Sequence, residues 1–266
     1  MKFSVVTLGC KVNQSESRDI RKQFCNLGYT VSEKPETADI VVFNTCSVTN
    51  VAERKSRNLI RRIYSQNPAV KIYVCGCYAN IAQEELKSEI PGIYRIISGK
   101  DKLDIESCGV ESLDVNSPPK SPSLEKRGGL NTTSEESAVF PEIDKNFSGI
   151  DYRSGQIKTK VREFLKIEDG CEQFCAYCVI PYARGPVRSI SPEELIANAE
   201  QLVLSGVREI VLTGINVGSY DHQGYGLAEL IGDIAKIEKL LRIRISSIEP
   251  QKLTVKIIET IADEPK

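Results

Sequence analysis

The chain has 266 residues, a formal net charge of −1, 41% hydrophobic and 27% charged residues, which suits a soluble globular protein long enough for two domains and offers no overall basic excess for nucleic acid. No apolar run approaches the roughly 20 residues of a spanning helix, and the opening Met1-Lys-Phe-Ser-Val-Val lacks the apolar core and cleavage site of an export signal. Nine cysteines, an odd number at irregular spacing, point away from a disulfide framework and toward metal or catalytic thiols in a reducing, cytoplasmic setting.

From the N-terminus, strand and helix patterns alternate. Phe3 to Leu8 is rich in β-formers, and Ser15 to Leu27 has helical periodicity with Gly28 as its C-cap. Asp39 to Asn44 is a short, nearly continuous apolar run, as in a strand buried on both faces. Val51 to Tyr64 reads as a second helix, Lys71 to Cys75 as a third strand, Ala82 to Glu89 as a third helix and Tyr94 to Ser98 as a fourth strand. Such alternation predicts an open, doubly wound parallel α/β sheet with function at the carboxyl ends of its strands.

Three cysteines occupy those ends: Cys10 after the first strand, Cys46 after the second and Cys77 after the third. Parallel strands bring their carboxyl ends to one rim, so the three thiols are expected to meet there, as a three-ligand iron–sulfur site with one open iron. Cys75 competes with Cys77, but inside the strand it is core, whereas Cys77 lies past Gly76 on the loop. Cys25 and Cys108 match no partner spacing and read as structural. The second helix carries Arg54, Lys55, Arg57, Arg61 and Arg62, a basic cluster suited to phosphates; a solvated helix face is the duller account.

Residues 106–155 break the alternation with Ser117-Pro-Pro-Lys-Ser-Pro and Asn131-Thr-Thr-Ser-Glu-Glu-Ser. With little to bury, they read as a flexible linker between a domain over 1–105 and another over 156–266. Alternation then returns: strand Arg162 to Ile167, helix Pro192 to Leu204, strand Glu209 to Thr213, helix Leu227 to Ile237, strand Arg242 to Ser247 and helix Thr254 to Ala262. Ser191 followed by Pro192 is a helix start.

After the first of these strands comes Cys171-Glu-Gln-Phe-Cys175-Ala-Tyr-Cys178, three thiols within eight residues. Structural zinc wants four ligands, and the single histidine, His222, is far along the chain. A cube of iron and sulfide held by three thiolates fits better, because one iron stays open for a small molecule. At the rim of the following strands, Gly214 permits close backbone approach, and Asn216 and Glu249 offer polar groups to a cofactor. Arg184 and Arg188, just past the cysteines, are candidates for a cofactor carboxylate or an RNA phosphate.

The Cys-x3-Cys-x2-Cys spacing with Tyr177 before the last cysteine resembles the radical S-adenosylmethionine enzymes. The segments Thr7-Leu-Gly-Cys-Lys-Val-Asn-Gln, Asn44-Thr-Cys-Ser-Val-Thr and Gly76-Cys-Tyr-Ala, with Phe164-Leu-Lys-Ile-Glu-Asp-Gly-Cys and Ile180-Pro-Tyr-Ala-Arg-Gly-Pro-Val-Arg-Ser, resemble the methylthiotransferases of that superfamily. Within the family, Leu8-Gly-Cys-Lys-Val-Asn-Gln is similar to the members acting on threonylcarbamoyladenosine in tRNA. The resemblance implies a partial (β/α) barrel after the N-terminal sheet. It also implies two [4Fe-4S] clusters, one on Cys171, Cys175 and Cys178 that cleaves S-adenosylmethionine into methionine and a 5′-deoxyadenosyl radical, and one on Cys10, Cys46 and Cys77 that delivers sulfur. A tRNA substrate and an electron donor of flavodoxin or ferredoxin type follow from it. Relatives acting on isopentenyladenosine or on a ribosomal-protein aspartate share these cysteines and stay open as alternatives, as does a non-catalytic iron–sulfur or zinc protein that binds RNA. Two departures stand out: Ile190 occupies a position where family members usually carry Arg, and the family's further strands and RNA-binding β-barrel are expected beyond the last strand–helix unit, so the sequence reads as a fragment or truncated frame.

Overall fold

Short runs rich in Val, Ile, Phe and Tyr pair side by side in the same direction, and helices cover both faces of the sheet they form. The computed structural model describes residues 1–47, 49–98, 104–106, 108–110, 150–151, 156–157 and 161–266. In chain order the first half holds β1 (Lys2–Thr7), α1 (Lys11–Asn26), β2 (Thr30–Val31), β3 (Ile40–Thr45), α2 (Asn50–Gln66), β4 (Lys71–Gly76), α3 (Cys77–Ile81), α4 (Gln83–Glu89) and β5 (Ile93–Ile96). The strands are all parallel and lie in the order β2-β1-β3-β4-β5. Central β3 is buried at every residue. Its alternate side chains serve two cores: Ile40 and Val42 pack with Phe3, Ile20, Phe24 and Tyr73, while Val41 and Phe43 pack with Ile60, Ile63, Ile72 and Val74, as the two-residue period of a strand requires.

This strand order reverses between β1 and β3. The loop after β1 leads to α1 on one face and the loop after β3 to α2 on the other, which opens a crevice at their carboxyl ends, the usual seat of function in such sheets.

Three local features differ from the sequence expectation. Helix α1 starts at Lys11 rather than Ser15, because Cys10 takes the extended N-cap conformation (φ −80, ψ −175) directly after the β1 loop. The two-residue edge strand β2 and the helical turn α3 are too short for periodicity to register. Helix α3 begins where it does because of Gly76: its φ is +96, and a Cβ there would lie 2.2 Å from the carbonyl oxygen of Thr45. A glycine is what lets β4 close against β3 and present Cys77 at the rim.

The second half begins with an antiparallel pair, β6 (Ile150–Asp151) and β7 (Gln156–Ile157). It continues through β8 (Arg162–Lys166), β9 (Glu168–Asp169), α5 (Ile180–Arg184), β10 (Arg188–Ser189), α6 (Pro192–Leu204), β11 (Glu209–Thr213), β12 (Asp221–His222), β13 (Tyr225–Gly226), α7 (Leu227–Ala235), β14 (Arg242–Ile245) and α8 (Val255–Asp263). Parallel strands β8, β11 and β14 are neighbours in sequence order, the arrangement of part of a (β/α) barrel. Leu165, Ile167, Leu195, Ile210, Leu212, Leu230 and Ile234 form its core. As expected, Ser191 caps α6, accepting from the Glu194 amide at 3.3 Å, with Pro192 in the first turn.

The expected linker over 106–155 falls almost wholly outside the described residues. At its start, Cys108 and Val110 are buried beside Ile105 in the core of the first sheet, so that core reaches past residue 105. The outer edge of β8 is covered by α1, where Arg18 Nη1 donates to the carbonyl of Phe164 at 2.8 Å and Ser15 Oγ donates to it at 3.4 Å. The rim of the first sheet is thereby brought against the end of β8.

Phe24 anchors α1: it is fully buried, stacks on Phe3 at 4.6 Å and meets Tyr29 edge-on at 5.3 Å. Phe24→Ala is expected to lower stability by about 3–5 kcal/mol, read as a reduced midpoint in urea unfolding followed by circular dichroism.

Candidate metal centres and the ion network between them

Asn13 and Asn44 join the first two strand ends. The amide of Asn13 donates to Asn44 Oδ1 at 2.8 Å and to the carbonyl of Thr45 at 3.2 Å, while the amide of Asn44 returns to the Asn13 carbonyl at 3.0 Å and to Ser17 Oγ at 3.1 Å. The three rim cysteines follow the ends of β1, β3 and β4. The Cys10 thiol donates to Asn13 Oδ1 at 3.2 Å, Cys46 follows Thr45, and Cys77 opens α3, where Arg184 Nε donates to its sulfur at 3.1 Å. Cys10 is exposed, whereas Cys46 and Cys77 are 6% and 2% exposed. Cys75, one residue before Gly76, is buried in the core, and Cys25 and Cys108 pack in or against the same core.

The second triplet lies on the loop between β9 and α5. The Cys171 amide donates to the Gly185 carbonyl at 3.0 Å, and the Cys178 amide donates to that of Cys175 at 2.9 Å, closing the loop on itself. Cys171 and Cys178 are half-buried and Cys175 is exposed, all as free thiols. Phe174, with the positive φ of 46, packs edge-on against Tyr182 at 5.8 Å, and with Tyr177 these rings stand largely exposed around the thiols. Among the described residues no three His, Cys, Asp or Glu side chains close around a single metal ion. A cubane asks for something else: each thiolate binds a different iron, so its sulfurs stand farther apart than the ligands of one ion. Three thiols in each triplet fall one short of the four ligands of a structural zinc and suit a cubane that keeps one iron open.

Between the triplets runs a buried ion network. Glu16 Oε1 accepts from Lys166 Nζ at 3.2 Å and from Arg184 Nη1 at 3.0 Å. Asp169 accepts from Arg184 Nη1 at 2.8 Å and lies 3.5 Å from Lys166 Nζ. The Arg184 side chain is 1% exposed and that of Glu16 is 0% exposed. Burial pulls down on the arginine pKa, but the carboxylates of Glu16 and Asp169 more than offset it, pushing the pKa above the ordinary arginine range. Where the sequence suggested a cofactor carboxylate or an RNA phosphate as the partner of Arg184, the carboxylates of Glu16 and Asp169 surround it, away from solvent. Arg188 stays partly exposed; its Nη2 donates to the Arg184 carbonyl at 2.9 Å and lies 3.9 Å from Asp169.

The basic helix α2 is likewise part-neutralised. Arg57 donates to Tyr78 at 2.6 Å and to Glu85 at 2.8 Å, and Arg61 donates to the Glu89 carbonyl at 3.2 Å, so α4 answers much of its charge. Arg54 and Lys55 remain exposed.

At the carboxyl ends of β8, β11 and β14, three buried polar atoms have no partner among the described residues: Glu168 Oε2, Asn216 Nδ2 and Ser246 Oγ. Glu168 Oε1 accepts from the Asn216 amide at 2.7 Å, and Asn216 Oδ1 accepts from the Glu249 amide at 3.3 Å, leaving the Glu249 side chain exposed. A Cβ at Gly214 would fall 2.0 Å from Glu168 Oε1, so the glutamate fits there only beside a glycine. Burial pushes the Glu168 carboxyl up to about 7, with the nearby Asp169 charge adding to it against donation from the Asn216 and Ile215 amides.

Sequence reasoning missed Asn13, Glu16, Lys166, Glu168 and Asp169. A signal was present in α1, where buried Asn13, Ser17, Ile20 and Phe24 follow one helical stripe whose first turn is polar; periodicity alone assigns such residues to solvent.

Comparison with known proteins finds two family profiles. "Uncharacterized protein family UPF0004" matches residues 2–98 and "Radical SAM superfamily" matches residues 165–265. Threonylcarbamoyladenosine tRNA methylthiotransferase MtaB of Bacillus subtilis is 38% identical over 96% of this chain and 53% of its own length. The tRNA-2-methylthio-N(6)-dimethylallyladenosine synthase of Dictyoglomus thermophilum is 33% identical over 100% of this chain and 57% of its own. The chain thus spans little more than half the length of these curated relatives. Among solved structures, the radical S-adenosylmethionine methyltransferase TsrM of Kitasatospora setae, with cobalamin and a [4Fe-4S] cluster bound, aligns over 99% of this chain and 65% of its own at 11% identity, with a TM-score of 0.49.

Because folding raises the Glu168 pKa from 4.5 to about 7, the folded chain holds an extra proton between those values, so its advantage is full below 4.5 and declines as pH rises across that range. The advantage fades as pH rises through 7 and is absent for a side chain that does not titrate. Glu168→Gln is expected to remove a fall in stability of up to about 3 kcal/mol between roughly pH 5 and 8, measured by urea unfolding at four pH values.

Proposed function

The chain belongs to the radical SAM methylthiotransferase family, and from that premise we propose that it carries the cluster-bearing part of a cytoplasmic tRNA methylthiotransferase. The substrate position is C2 of N6-threonylcarbamoyladenosine beside the anticodon. What carries this reading is the pair of cysteine triplets, one at the crevice of the first sheet and one on the loop after β8, in a chain 38% identical to an enzyme named for that nucleoside.

In this reading Cys171, Cys175 and Cys178 hold one [4Fe-4S] cluster, and Cys10, Cys46 and Cys77 hold a second. When bound, the first cluster and S-adenosylmethionine supply a carbon radical able to remove hydrogen from a base carbon inert to polar nucleophiles, and the second supplies sulfur. The protein's part is binding, orientation and exclusion of water. Phe174, Tyr177 and Tyr182 offer apolar surface that closes over the exposed thiols once a flat ligand stacks there. The unpartnered atoms of Glu168, Asn216 and Ser246 give the polar groups of S-adenosylmethionine a place to bond that water or protein would otherwise have to fill. Arg188, partly exposed beside the loop, suits its carboxylate. Gly214 supports the site through Glu168, and Glu249 through the amide it donates to Asn216.

Exposed Arg54 and Lys55 on α2 offer charge to tRNA phosphates, a small set beside the usual footprint. Electrons come from a small flavodoxin- or ferredoxin-type donor. Among the described residues no helix is long and apolar enough to cross a membrane. A second reading, action on the dimethylallyl-type nucleoside, is favoured by the 33% identity to a synthase of that name.

Anaerobically reconstituted chain, reduced with dithionite and given S-adenosylmethionine, is expected to release 5′-deoxyadenosine detectable by mass spectrometry. Cys175→Ala should lower the yield at least 100-fold, on the order expected when a group acting as part of a unit is removed. Unchanged yield in that variant, or none in the parent, defeats the proposal. Nucleoside mass spectrometry of tRNA from a deletion strain separates the substrates: loss of the methylthio-threonylcarbamoyl nucleoside is expected, and loss of the dimethylallyl-type one alone would reassign it.

A further inference from the structure

Arg184 does more than its ion pairs require. Its Nη1 satisfies Glu16 and Asp169 at 3.0 and 2.8 Å, and these bonds fix the plane of the guanidinium. With the plane fixed, the remaining donors have only one direction to point. Nε meets the sulfur of Cys77 at 3.1 Å, and Nη2 meets Asn13 Oδ1 at 3.4 Å, the same oxygen that accepts from the Cys10 thiol. The helix that carries Arg184 follows the Cys171–Cys178 loop, and Asn80, on α3 behind Cys77, donates to the neighbouring Ala183 carbonyl at 2.6 Å. One side chain therefore touches a thiol of one triplet from a helix anchored to the other.

We infer that Arg184 is a positioning residue for the Cys77 sulfur, a charged hydrogen-bond donor that holds it and tunes the cluster it ligates. The inference rests on the reading of Cys10, Cys46 and Cys77 as a cluster site. A sulfur that receives a charged N–H is stabilised when electron-rich, which favours the ligating thiolate and shifts the bound cluster toward its reduced form. The carboxylates of Glu16 and Asp169 balance most of the arginine charge, so the directional bond, more than net charge, carries the effect. Lysine, a point charge without a planar fork, keeps the ion pairs and loses that bond.

The test uses the full chain with Cys171, Cys175 and Cys178 all replaced by Ala, so that bound iron reports on the other triplet alone. After anaerobic loading with ferrous iron and sulfide, the readouts are iron per chain, the half-time of iron loss to a chelator and the midpoint potential followed by electron paramagnetic resonance. Adding Arg184→Lys is expected to speed iron loss roughly 10–100-fold and to move the midpoint to a more negative potential. Adding Glu16→Gln, which weakens the ion pair and leaves the Nε–sulfur contact, is expected to lower thermal stability with iron retention and midpoint near those of the parent. Should Arg184→Lys fail to fold, Glu16→Gln with Arg184→Gln removes the charge pair together and is expected to reproduce the iron loss. The inference is overturned if the Arg184 variants keep the parent's half-time and midpoint, or if Glu16→Gln alone matches them. A parent that binds no iron and sulfide with Arg184 intact overturns the two-cluster reading instead, which separates the two failures.

Discussion

A guanidinium held out of water between two carboxylates sets the terms for the rest of this molecule. Glu16, the Lys166–Asp169 stretch and Arg184 come from three separate places in the chain, and their charges are satisfied only when α1, the end of β8 and α5 stand in one arrangement. The desolvation of such groups offsets most of their mutual attraction, so the network adds little to net stability. Displacing one member, however, strands a buried charge at a cost of about 3–5 kcal/mol. What the network contributes is register between the two sheets. Register matters here because each sheet presents its own thiols at the seam.

Much of the architecture was legible in the residues. The apolar run Ile40–Phe43 announces a strand covered on both faces, and the cysteines that follow β1, β3 and β4 point to a shared rim as soon as the sheet is taken as parallel. The strand order then refines the picture, since Cys10 and Cys46 flank the point where that order reverses. The ion network was not legible, because Glu16 pairs with Lys166 and Arg184 across 150 residues or more, and no local pattern says which surface charges will be trapped when two sheets meet. Arg184 illustrates the difficulty. Beside a cysteine loop an exposed arginine suggests a phosphate, yet its neighbours in space are Glu16 and Asp169. Gly214 is a parallel case: a glycine at a strand end suggests room for a ligand, and it is Glu168 that fits only beside a glycine.

The two thiol sites also differ in what surrounds them. Cys171, Cys175 and Cys178 sit on a loop fastened at both ends by backbone hydrogen bonds and fringed by exposed aromatic rings, a surface completed by something flat and apolar. Cys10, Cys46 and Cys77 sit in polar, hydrogen-bonded ground, with Asn13 and Arg184 as neighbours. The first setting favours a ligand that arrives and leaves; the second favours a group held in place. Glu168 lies at the first of these sites with a carboxyl poised near neutrality by its burial, so its charge depends on whether anything bonds the oxygen that now lacks a partner.

The uneven burial of the N-terminal cysteines has a chemical consequence for their thiols. Solvent reaches Cys10 while Cys46 and Cys77 are walled in by the ends of β3 and β4. An oxidant diffusing up to that rim meets one sulfur first, and the sulfenic acid forms there while the other two thiols stay sheltered. At this rim, air damage would thus enter by a single doorway and leave its mark at a known residue.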